Sequence, residues 1–136
     1  MKFSQVINIF EGIDTEAHEA ILRHEAQATK KHIMSELSME FEEIEELKQV
    51  VSKADKDFMI EWTSQAVDKI ESSLKPKANN SDQAKVSNEI KLDIKNKLGD
   101  FVGNWNKIKN SPSANSNEFI LKWITNLLNK VKELVK

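Results

Sequence analysis

No cysteine occurs among the 136 residues of this chain. That absence excludes disulfides, thiolate metal sites, iron–sulfur clusters and cysteine nucleophiles, and it fits a reducing cytosol. Glycine and proline are nearly as scarce, at three and two residues. The glycines form no phosphate-cradling loop and no dinucleotide fingerprint. None of the serines sits in a Gly-x-Ser-x-Gly elbow. Tyrosine is missing, and arginine appears once, at Arg23, against nineteen lysines. Base edges are read mainly by Arg, Asn and Gln, so this composition argues against sequence-specific nucleic-acid recognition. No apolar run approaches the roughly 18–20 residues that span a bilayer. The opening MKFSQVINIF has one Lys, a short apolar patch and no small-residue cleavage pattern, so no signal peptide is expected. The expected location is the cytoplasm.

What the chain does have is an apolar residue every three or four positions, from Ala17 to Leu74, Val86 to Ile108 and Phe119 to Val135. This is the spacing of one helix face. Charged residues make up 31% and apolar residues 39%, a balance that supports a packed core rather than disorder. The expected fold is a single all-α domain spanning 1–136, a bundle of four to six amphipathic helices with or without one long helix.

Breaks in the pattern place the elements. Residues 4–10 read as a short helix or an extended arm. Gly12 interrupts, and Asp14 or Thr15 is expected to cap the next helix, whose stripe is Ala17, Ile21, Ala28, Ile33 and Leu37. Ser38 offers a stop, but the stripe continues through Phe41, Ile44, Leu47, Val51 and Ala54. One helix over 14–53, about 60 Å long, and two shorter helices fit equally well; the single helix would favour a dimer. Asp55 or Asp57 caps a helix bearing Phe58, Trp62, Ala66, Ile70 and Leu74. Pro76 ends it, and 75–81 is the expected loop and hinge. Ser81 caps a helix expected to run to Ile108, weakened or kinked at Gly99 and Gly103, where close approach of a neighbouring helix is the alternative. Ser116 caps the last helix, in which Ile120, Ile124, Leu127, Val131 and Leu134 form a heptad seam, widened by Phe119, Trp123, Leu128 and Val135.

Chemistry-bearing constellations are few. His18, His24 and His32 share one helix; His18, Glu25 and His32, seven residues apart, share a face, but that spacing of about 10.5 Å is too wide for one ion. His32 and Glu36 alone make a two-ligand site, and the Glu-x-x-His pairs of dimetal bundles are absent. No metal, cofactor or catalytic residue is assigned, and no enzymatic activity is expected.

Charge is distributed unevenly. Residues 1–74 carry 8 Lys/Arg against 16 Asp/Glu, a net of −8, whereas 75–136 carry 12 Lys against 6 Asp/Glu, a net of +6. The densest cluster is Glu36, Glu40, Glu42, Glu43, Glu45 and Glu46, alternating with apolar residues so that most carboxylates face water. These six residues, with Trp105 as the tryptophan expected to be partly exposed beside a loop, are the candidate partner-binding set.

The expected function is non-enzymatic binding of another protein with a basic surface, by a small regulator, inhibitor or immunity-type module; a second copy of the chain is another candidate partner. Two alternatives stand beside it. The segment NEFILKWITNLLNKVKELVK resembles a cationic amphipathic helix that lies on anionic membranes. Lys85, Lys91, Lys95, Lys97, Lys107 and Lys109, expected along one helix, offer non-specific phosphate contacts to nucleic acid.

Overall fold

The computed structural model describes residues 11–136; the segment 4–10 lies outside the described residues. The fold is all-α: α1 (Glu11–Glu36), α2 (Ser38–Val50), α3 (Lys56–Ser73), α4 (Asp82–Leu98), a single turn α5 (Trp105–Ile108) and α6 (Asn117–Leu134), with a 3-10 turn at Pro112–Asn115. α6 is central. It packs on α2, α3, α4 and the 3-10 turn, while α1 covers α4, α3 and α2. The heptad seam therefore closes within one chain: Ile120, Ile124, Leu127 and Val131 are buried, with Leu128 beside them, and Leu134 is half-buried.

The caps follow the sequence. The side chain of Asp55 accepts the amide of Phe58, Ser81 that of Ala84, and Ser116 that of Phe119. Each satisfies a donor that the first helical turn leaves open. Asn117 ties the start of α6 to the α2–α3 turn, its amide donating to the carbonyls of Ala54 at 2.7 Å and Val51 at 3.2 Å.

Several boundaries differ from expectation. The 14–53 segment is two helices, separated only at Leu37 (φ −105°, ψ 6°). The ladder barely lapses there, because the Leu37 amide donates to Ile33 and Met34 and the Phe41 amide to Leu37. The Ser38 hydroxyl donates to the Ser35 carbonyl at 2.9 Å, competing locally with the helical ladder. Gly12, Asp14 and Thr15 lie inside α1 rather than before it; one Gly costs a helix only about 1 kcal/mol. α4 stops at Leu98, so the expected 81–108 helix is interrupted. Gly99 takes φ +57° and returns its amide to Asn96 and Lys95. That conformation is open to glycine and costly for other residues.

The expected stripes are also partly out of phase. Ala17 and Ile21 are exposed, and α1 instead turns Leu22, Ala26, Thr29 and Ile33 inward. Phe58 and Phe119, each three residues after a cap, face outward. Polar contacts accompany this phase, reaching from α1 to α4 and to the 75–81 segment. The Thr29 hydroxyl lies 3.0 Å from the Ser87 hydroxyl and 2.9 Å from the Glu25 carbonyl. Lys77 reaches Glu25 at 3.6 Å, and His18 reaches Asp82 at 3.5 Å.

Thr29 and Ser87 are both buried, which gives a clean test. Thr29→Val strands the Ser87 hydroxyl and is expected to cost about 1–3 kcal/mol in urea denaturation. Adding Ser87→Ala removes the stranded group and recovers most of that loss. A double variant no more stable than the single one would show that the pair does not hold α1 on α4.

The expected hinge at 75–81 is laid along α4. Asn88 accepts the Lys77 amide at 2.7 Å and donates to the Lys77 carbonyl at 3.1 Å. The Lys91 ammonium donates to the Lys75 carbonyl at 3.0 Å. These bonds hold the segment as a strap.

Candidate functional site

The acidic cluster falls on α2 and on the last turn of α1. Ile44 and Leu47 turn into the core, which sends the positions around them outward. At 100° per residue, Met39, Glu42, Glu43, Glu46 and Val50 share one outer face of α2. Glu42 and Glu46 are exposed and Glu43 is half-buried. Met39 is 58% exposed and Val50 48%. Two apolar side chains thus flank three carboxylates, one near each end of the helix. The apolar pair was invisible to a search for charge, and the sequence signal that could have found it is a helix with apolar residues on both faces.

Local compensation is thin. The Glu45–Lys48 pair, at 3.0 Å, is exposed on both sides and contributes little. Glu36 lies 3.0 Å from His32 Nε2, a partner charged only when protonated. Among the described residues no cation comes within 4 Å of Glu42, Glu43 or Glu46.

Glu40 does not belong to this outer face. It is 5% exposed and its carboxylate meets Lys69 of α3 at 2.9 Å. The Glu40 side chain, with further attraction from Glu43 and Glu36, holds the Lys69 ammonium above its ordinary range. Glu40 is the point where the acidic helix is fastened to the bundle, and the helical turn that exposes Glu42 and Glu43 turns it inward.

Trp105 is likewise not exposed. Only 3% of it reaches solvent. Its ring stacks on Trp123, with centroids 5.1 Å apart and planes at 27°, and its Nε1 donates to Ser64 Oγ at 2.9 Å. The Gly99 turn redirects the chain, so a residue that looked peripheral drops into the core.

The basic half is less uniform than its composition. Lys91 is buried, and burial, with Lys77 nearby, pushes its ammonium below the ordinary lysine range. Lys97 pairs with Asp93 at 3.0 Å. Lys107 and Lys109 lie beyond the end of α4, so the six lysines do not share one helix. The apolar face of α6 is spent on the core. His18 is half-buried against Asp82 rather than exposed, while His24 and His32 are exposed. Among the described residues no group of three His, Asp or Glu side chains is placed to hold a metal ion, and no helix is long and apolar enough to cross a membrane. No protein-family model matches the chain, and no curated protein or solved structure does either.

Proposed function

We propose that this chain is a non-catalytic binding module, of the kind used by small regulators, inhibitors and immunity proteins, and that it engages a basic protein surface through the outer face of α2. One observation carries the reading: Glu42, Glu43 and Glu46, with no cation within 4 Å among the described residues, stand between two exposed apolar residues, Met39 and Val50. Surface carboxylates alone are ordinary. Apolar side chains exposed among them are the pattern of an interface, where charge guides encounter and apolar contact slows dissociation. Glu36, at the end of α1, and Glu45, elsewhere on the α2 surface, add to the acidic field. At physiological salt such a field reaches about 8 Å, so it acts on a partner already close to the surface.

The test uses a partner captured from the native host and then purified. Changing Glu42, Glu43, Glu45 and Glu46 together to Gln is expected to lower the association rate about ten-fold or more in stopped-flow mixing, with the helical circular-dichroism signal retained. Raising the salt should slow the wild type toward the variant. Met39→Ser with Val50→Ser is expected to speed dissociation instead. Association and dissociation rates that ignore both sets of changes would remove the α2 face from the interaction.

A further inference from the structure

The two glycines at 99 and 103 have a consequence that lies outside the α2 face. They border a cleft of about 420 Å³, open to solvent, between the end of α3, the start of the strap and the end of α4. Its apolar wall comes from Leu74, Pro76, Leu98 and Val102. Neither glycine is there to let another helix approach. A Cβ built on Gly103 meets nothing nearer than the Asp100 carbonyl oxygen at 3.7 Å, and one on Gly99 nothing nearer than Asn96 O at 3.9 Å. Neither glycine adds side-chain bulk to the border of the cleft.

We propose that this cleft binds a compact apolar small molecule without net charge. The volume lies within the range of small-molecule sites, about 300–1,000 Å³. The extent of the cleft argues against a docked helix. Lys95 to Leu98 is a single turn of α4, about 5 Å of rise, whereas a helix in a groove needs anchors over two turns or more. The charges around the cleft set the ligand class. Glu71 and Asp100 oppose Lys75 and Lys95, all four are exposed, and their charges sum to zero. Among the described residues, none of the four has an opposite charge within 4 Å. An anion or a cation entering there meets repulsion from two groups as well as attraction from two, so the apolar wall dominates. This inference does not rest on the α2 reading, because α2 contributes nothing to the cleft.

The probe is N-phenyl-1-naphthylamine, an uncharged apolar dye that brightens out of water. The full chain is expected to bind it saturably at one site, and Gly103→Leu, which places a bulky side chain on the cleft's border at a position without a positive φ, is expected to weaken binding about ten-fold or more. The four Glu→Gln changes on α2 should leave the dye affinity unchanged. Should Gly103→Leu fail to fold, amide-resonance mapping of the wild type with the dye decides the matter. Shifts centred on residues 99–103 and on Leu74 and Lys75 support the site, and shifts centred elsewhere overturn it. The proposal is also overturned by dye binding that does not saturate, by equal affinity in Gly103→Leu, or by tighter binding of the anionic analogue 1-anilinonaphthalene-8-sulfonate.

Discussion

Trp105→Ala is expected to cost about 3–5 kcal/mol of folding stability, enough to unfold a domain of ordinary stability. Three losses combine in that substitution. The indole is almost wholly buried, so its removal leaves a large cavity beside Trp123, which packs against the core. The stacked contact with Trp123, itself tilted against Phe101 at 5.3 Å, disappears; such aromatic pairs contribute about 0.5–1.5 kcal/mol beyond burial. The hydrogen bond to Ser64 goes as well. Trp105→Phe separates these terms. It keeps a ring against Trp123 and loses the indole N–H, and it should cost much less than the alanine change. Chemical denaturation followed by circular dichroism, which does not depend on tryptophan emission, measures both. An alanine variant within about 1 kcal/mol of the wild type would contradict the burial of this side chain and restore Trp105 as a surface residue.

Trp105 also shows how far the sequence could be read. The fold class, the three caps at Asp55, Ser81 and Ser116 and the seam of α6 were legible because each depends on residues close in the chain. A cap needs one side-chain oxygen three residues before an amide, and a seam needs one period held over five turns. The errors arise where a distant residue decides. In α1 the inward Thr29 meets Ser87 of α4 and Glu25 meets Lys77 of the strap, partners distant in the chain, whereas the most apolar stripe points to Ile21. Glu40 looks like its neighbours in sequence and is distinguished only by Lys69 on another helix. Trp105 was misplaced because Gly99 was read as a kink within a helix, whereas its positive φ ends the helix and turns the chain back over α6. The acidic face was legible as charge. Its apolar flank was not, because Met39 and Val50 differ from core residues only in the direction they point.

That same question of direction decides what α6 can do, and Leu127→Ala measures it. Leu127 is fully buried, whereas Phe119, eight residues earlier on the same helix, is 39% exposed. If the seam is core, Leu127→Ala costs about 2–5 kcal/mol, while Phe119→Ala, which leaves little cavity, costs a fraction of that. A cationic helix that lay on membranes in its native role would show the reverse economy: its apolar residues would be free in solution, truncating Leu127 would scarcely move the denaturation midpoint, and lipid binding would fall instead. The two measurements therefore belong together. With the seam packed on α2, α3 and α4, the folded chain is expected to stay in solution during flotation with anionic vesicles, since binding would first have to draw Ile120, Ile124, Leu127 and Val131 out of the core. Lipid would re-bury those four side chains, but the core residues they leave behind on α2, α3 and α4, among them Ile44, Leu47, Ile70 and Ile94, would meet water at about 1.5–3 kcal/mol each, more in sum than a surface helix with a net charge of +2, from four Lys and two Glu over 117–136, gains from anionic headgroups at about 1 kcal/mol per lysine.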